Sequence, residues 1–318
     1  MESSGDLYCM TEIASHFWEP FIISGYRKPG ISVKDSARSI FKIHNETLNI
    51  WTHFLPCLYT VWHLWKQPSC FHDDLLQQPY VCLLVSVCAY TFGSSVAHTF
   101  CSISEFSQHV SFMIDYYCIS LYAFSISLTN VSYSFPKSWQ ESWWESCFLY
   151  ATGLCCIFSV FLSCQSRFRK FDSFSKVMRV VAFLLPYLVG MAPTTYRTFL
   201  HFSRDDATFY FSLKLITSLL TVTLYSTHFP ECLYPGSFDY YFHSHQLFHL
   251  GVVATTYCHI QGMLKDMEQI TPDNVVTKSL YALLIITLMN GTLLSYYIYK
   301  MYLLHCNHDS NQNSKKLH

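Results

Sequence analysis

Long apolar runs alternate with short polar stretches along most of the chain. Eight such runs stand out, near residues 48–65, 80–100, 109–129, 148–163, 177–200, 209–227, 246–263 and 279–304. At 1.5 Å of rise per residue, each is roughly long enough to cross about 30 Å of hydrocarbon as a helix, the fourth and seventh marginally. Open strands are excluded at that depth, because unpaired backbone groups cost several kcal/mol in lipid. The pattern predicts an all-α integral membrane protein in three parts: a cytoplasmic N-terminal segment (1–47), a transmembrane helical domain (48–304) and a cytoplasmic polar tail (305–318) expected to be disordered. The eighth run follows a polar stretch and contains Asn290 and Gly291. If it did not cross, the C-terminus would lie outside.

Lysine and arginine set the orientation. Arg27, Lys28, Lys34, Arg38 and Lys42 precede the first run, and Arg167, Arg169, Lys170 and Lys176 separate the fourth from the fifth. Lys315 and Lys316 follow the last. Loops of opposite parity hold only Lys66, Lys137, Arg204 and Lys265. The positive-inside rule then puts both termini in the cytoplasm. The group around Arg167 reads first as topogenic charge, with a lipid phosphate contact as the alternative.

Composition agrees with a membrane solvent: 51% of residues are hydrophobic and only 13% charged, against about 25% charged in a soluble domain. A net charge of −1 provides no field to recruit nucleic acid. The 14 cysteines are scattered through apolar runs without a CxxC pair, so they read as small hydrophobes rather than a zinc or disulfide framework. Cys306, beyond the last run, is a candidate for palmitoylation. The polar first forty residues do not form a cleaved signal peptide, so the first run acts as an uncleaved anchor. Of three glycosylation triplets, Asn45 falls in the cytoplasm and Asn290 within a span. Asn130 alone faces outward, so close to the membrane that occupancy is disfavoured.

Ionisable residues within spanning helices are costly and usually functional. Here His98 ends the second span, Asp115 lies early in the third, and His245 and His249 begin the seventh. The topology puts all four at one depth, in the inner leaflet. His245 and His249, at i and i+4, share a helix face; His98 supplies a third imidazole. Three nitrogens plus a water is a catalytic zinc arrangement, with Zn–N about 2.0–2.1 Å. Asp115 is placed to bind that water or take its proton. Ser94, one turn before His98, is placed to orient the ligand or polarise a carbonyl. HxxxH alone is a common spacing, and a set of five residues at one depth is much more specific. His243 faces elsewhere and reads as an interface residue. Glu46 reads as a favourable charge near the positive end of the first span, with Asn49 and Thr52 making inter-helix hydrogen bonds.

The combined pattern resembles the progestin and adipoQ receptor family, and within it the membrane progestin receptor branch. It consists of Gly25-Tyr26-Arg27, the stretch from Asn45 to His53, Ser94 with His98, Asp115, Pro230-Glu231, the stretch from Pro235 to Asp239 and that from Ser244 to His249. The resemblance implies an adiponectin-receptor-like bundle of seven core transmembrane helices plus an eighth at the C-terminus. It implies zinc on His98, His245 and His249, with Asp115 at the zinc-bound water. It also implies a progestin steroid as ligand, heterotrimeric G proteins as partners and lowered cyclic AMP as output, in the cell membrane. Gly25-Tyr26-Arg27 is expected to dock the N-terminal segment. Cys232 and Ser237 depart from the family, standing where many relatives carry a basic residue, which weakens any anionic contact there.

Two functions follow. One is a steroid receptor with a structural zinc site. The other, suggested by the similarity to alkaline ceramidases, is a zinc-dependent lipid amidohydrolase acting on ceramide or another sphingolipid, with Asp115 as base and Ser94 at the carbonyl. A proton-relaying transporter ranks last, because no inverted repeat or broken-helix pair is evident.

Overall fold

The computed structural model describes residues 7–66, 76–140, 142–169, 173–200, 205–270 and 279–316. Lys170 and Arg204, two of the orienting charges, lie outside them. Among the described residues the architecture is helical. A short α1 (Val33–Arg38) precedes eight long helices: α2 (Thr47–Lys66), α3 (Gln78–Phe100), α4 (Glu105–Thr129), α5 (Trp143–Ser166), α6 (Ser173–Leu200), α7 (Asp206–Thr227), α8 (Ser244–Met267) and α9 (Ser279–Lys316). These match the eight apolar runs, seven of them extended by up to five residues at one or both ends and the eighth by twelve. Six of the eight are long and apolar enough to cross a membrane by composition alone. α2 and α8 fall outside that set because they carry Asn49, Thr52 and His53, and His245, His249 and His259. The chain is a multi-pass membrane protein.

α4 is the hub. One core joins Leu83, Val87 and Tyr90 of α3 to Cys118, Tyr122 and Ile126 of α4 and Met263 of α8. A second joins Leu121, Phe124 and Leu128 of α4 to Cys156 of α5 and Ile286 of α9. A third closes Met113 of α4 against Val160 of α5 and Leu294 and Tyr297 of α9. Outward-facing Phe92, Leu154, Leu219 and Leu284 are exposed on the protein surface, the arrangement lipid tails favour. α7 packs closely along α8 through two glycines. A Cβ at Gly262 would lie 2.7 Å from the Phe211 ring, and one at Gly251 would collide with the Thr221 hydroxyl. Small residues at such crossings let backbones approach where no hydrophobic force between helices exists. That approach fixes the rotation of α8, and with it the direction of its histidines.

Three expectations change. α9 continues to Lys316, into the stretch expected to be a disordered tail; residues 305–316 contain no proline or glycine to stop a helix. Asn130 is buried in a π-turn after α4 and donates Nδ2 to the Gly190 carbonyl at 2.6 Å, so it is closed to glycosylation. His243 is a buried N-cap residue of α8, with Nε2 3.4 Å from the Asn45 carbonyl, rather than an interface residue.

Candidate metal centre

The N-terminal segment frames the centre. Arg27 is buried and donates Nη1 to the Ser39 hydroxyl (2.9 Å) and the Thr99 carbonyl (2.7 Å), and Nη2 to the His98 carbonyl (2.6 Å). It thus helps cap the C-terminus of α3, sharing the Thr99 carbonyl with the Ser36 hydroxyl and the His98 carbonyl with the Cys101 thiol. Tyr26 exchanges backbone hydrogen bonds with Tyr8, and the Asn45 amide donates to the Gly25 carbonyl at 2.9 Å. Asp239 receives the amides of Ile23 (3.0 Å) and Ser24 (2.7 Å) and the Ser24 hydroxyl (2.7 Å). Buried Glu231 receives the Ser244 amide at 2.7 Å and the Ser244 hydroxyl, which anchors the first turn of α8. The expected docking role of Gly25-Tyr26-Arg27 thus has a physical form, and it lies against the last turn of the helix that carries His98.

Three imidazoles meet there. His98 from α3 and His245 and His249 from α8 each offer a nitrogen, and these atoms lie within 4.8 Å of one another. The Nε2 atoms of His98 and His245 are 3.1 Å apart. Two nitrogens on one tetrahedral zinc stand about 3.3 Å apart, given a Zn–N bond near 2.05 Å. The opposite nitrogens of two rings are already held. His98 Nδ1 is 2.7 Å from Glu46 Oε2. His249 Nδ1 lies 3.1 Å from the Asn49 carbonyl and 3.1 Å from the Thr52 hydroxyl. An Nδ1–H donated to a carboxylate or carbonyl fixes the tautomer and leaves the Nε2 lone pair for a metal. The donor set therefore fits zinc, with Glu46, Asn49 and Thr52 at the start of α2 holding the far nitrogens of His98 and His249.

Glu46 lies just ahead of α2 and is buried. Burial alone would raise its pKa. The ring of His98 and the amide of Asn49, which donates to Oε2 at 2.6 Å, instead hold the carboxyl well below the usual range. His53 stacks on His249 with centroids 3.9 Å apart, and both its nitrogens are buried without a partner among the described residues. Asn49, Thr52 and His53 follow Glu46 by three, six and seven residues, on one face of the helix start. That spacing was the available signal. Thr52 does reach across to α8, but Glu46 has a role a helix-dipole reading misses.

Asp115 is buried on α4, where Gly93 of α3 approaches it: a Cβ at Gly93 would be 3.9 Å from the Asp115 Cα. Its Oδ1 has no hydrogen-bond partner among the described residues. Ser94 is buried one turn before His98. A small open pocket adjoins the centre, lined by Glu19, Arg27, Glu46, Gln108 and Phe112 among others.

The chain is similar to known proteins over most of its length. A family model described as haemolysin-III related matches residues 41–260, a stretch that contains Glu46 and all five candidate residues. The membrane progestin receptor delta of Mus musculus is 39% identical over 260 residues, covering 79% of this chain and 76% of its own. The membrane progestin receptor gamma of Mus musculus is 35% identical over 267 residues, 82% of this chain and 81% of its own. The membrane progestin receptor beta of Homo sapiens is 28% identical over 267 residues, 81% of this chain and 75% of its own.

Proposed function

Because the chain belongs to the haemolysin-III related family, the progestin and adipoQ receptors, we propose that it is a cell-membrane receptor for a progestin-type steroid, built around an inner-leaflet zinc site. The observation that carries the zinc is the convergence of three imidazoles with two outer nitrogens already held. The steroid rests on the names of relatives 39% and 35% identical. In this reading His98, His245 and His249 hold the metal and tie α3 to α8, while Glu46, Asn49 and Thr52 add α2. A ligand that shifts one of these helices then strains the joint, and the change reaches the cytoplasmic ends. Cytoplasmic termini, coupling to heterotrimeric G proteins and lowered cyclic AMP belong to the same proposal.

One observation favours a second reading, a zinc-dependent hydrolase of ceramide or another lipid amide. The Asp115 Oδ1 atom is buried and spent on no structural hydrogen bond. When bound, zinc supplies a Lewis acid that polarises a carbonyl and acidifies water. Asp115 then accepts the proton, and Ser94 stands one turn from His98 to steady the carbonyl.

The test uses purified full-length protein in nanodiscs, with zinc content, progesterone binding and ceramide turnover measured together. Wild type is expected to hold zinc and bind progesterone, and His245→Ala to lose the metal. Metal-free wild type overturns the site. Zinc-loaded protein that binds no progestin overturns the receptor reading. Ceramide turnover that Asp115→Ala abolishes decides for the hydrolase.

A further inference from the structure

A second polar cluster stands at the ends of α4, α5 and α6, on the side that the positive-inside reading puts in the cytoplasm. A shallow depression open to solvent is lined by His109, Ser166, Arg167, Arg169, Ser175 and Arg179. Among the described residues that line it, three are arginines and none is a carboxylate. Arg167 caps the end of α5, Arg169 follows it, Arg179 lies in the second turn of α6, and His109 sits on α4. Topogenic charge alone needs no such convergence, since any exposed lysine or arginine near the span would serve.

The guanidinium groups are braced rather than splayed. Arg167 lies over the Phe112 ring at 5.0 Å and donates Nε to His109 Nδ1 at 3.0 Å. Glu105 approaches His109 only from its opposite nitrogen, at 3.7 Å. The Arg167 Nη2 is buried and has no hydrogen-bond partner among the described residues. A buried guanidinium donor left unpaired is costly unless something fills it. Arg169 lies over Phe174 at 4.7 Å. Ser175, in the first turn of α6, puts the positive end of that helix dipole at the same place. Planar, pre-oriented arginines with a helix N-terminus match a phosphate in shape and charge.

We infer that this pocket is a binding site for a phosphate group, above all the phosphomonoester headgroup of an inner-leaflet phospholipid. Its position at the membrane surface gives the lipid source; free phosphate carries the same chemistry. The site is a near neighbour of the metal centre, because Phe112 under Arg167 also packs edge-on against His98, with centroids 5.5 Å apart.

The experiment is native mass spectrometry of the full-length protein in detergent with equimolar phosphatidic acid and phosphatidylcholine, and a titration with inorganic phosphate. Wild type is expected to retain phosphatidic acid at least about tenfold over phosphatidylcholine. The double variant Arg167→Gln, Arg179→Gln is expected to lose about tenfold of that retention with its thermal transition kept. Should the double variant fail to fold, Arg179→Gln alone is read the same way, with a smaller loss. Inorganic phosphate binding as tightly as the lipid assigns the site to free phosphate and supports it. Equal retention of both lipids with no phosphate binding overturns the inference, as does unchanged retention in a folded variant.

Discussion

α8 carries buried histidines in two places with opposite chemistry. At its start, His245 and His249 converge with His98. Ten residues later, about 15 Å along the helix, His259 is equally buried. There Lys214 of α7 donates its Nζ to His259 Nδ1 at 3.1 Å, and His259 Nε2 reaches the Thr129 hydroxyl, also at 3.1 Å. Both His259 nitrogens are spent, and the neighbour is an amine. At the other place the Nδ1 partners are a carboxylate and a carbonyl, so the outer lone pairs stay free. What Nδ1 meets, an acceptor or a donor, decides whether an imidazole can serve as a ligand. His249 and His259 are equally buried, so burial alone does not separate the two places.

Removing a ligand breaks the comparison most sharply. His98→Ala or His245→Ala is expected to abolish stoichiometric zinc, measured by elemental mass spectrometry, whereas His259→Ala leaves it intact. Zinc lost equally from His259→Ala would mean that the two places act as one.

The carboxylate behind His98 comes next. Glu46→Gln keeps the shape but removes the charge that holds the His98 proton. Such changes weaken metal binding by about 10–100-fold, or about 1.4–2.7 kcal/mol. Competition with a chelator measures it. An unchanged affinity would show that Glu46 only fills space.

The Lys214 end is expected to respond in stability instead. His259→Ala leaves a buried amine without its acceptor and should cost about 1–3 kcal/mol. Lys214→Met replaces the amine with an apolar chain of similar length and should be neutral or stabilising. Thermal unfolding in detergent reads both, and a reversed order of the two variants would contradict the assignment.

Much of this was legible in the sequence, for identifiable reasons. Apolar runs announce spanning helices because lipid leaves the backbone few alternatives, so all eight long helices coincide with predicted runs. That His98, His245 and His249 stand near one another was expected from counting spans. The mutual distance of the three imidazoles was not, because it depends on the rotation of α8, which the close α7–α8 contact at Gly251 and Gly262 sets. Glu46 was visible as a charge and not as a partner, since its contact with His98 joins residues 52 positions apart. The burial of Asn130 depends on a contact with α6, and that of His243 on the chain entering α8, and periodicity describes neither.

The smallest expected effect lies between the two places in character, at His44, a histidine buried just ahead of α2. Its Nε2–H donates to the Ser39 carbonyl, and its Nδ1 accepts the Glu46 amide, each at 3.1 Å. Like His259, it has both nitrogens spent; like His98, it touches the segment that carries Glu46. Burial first, and then the positive charge of Arg27, push its pKa down to about 3. An unfolded histidine titrates near 6.5. Between those values the unfolded chain binds a proton that the folded chain refuses. The stability His44 contributes is thus full above pH 6.5 and falls as pH drops, by about 1.4 kcal/mol per unit. Acid also releases zinc from neutral imidazoles, so the comparison belongs in the His245→Ala background. There, His44→Gln should flatten the loss of thermal stability between pH 7.5 and about 5.5. An unchanged slope would mean that His44 takes up its proton in the folded state and that the contact with the Glu46 amide yields to it.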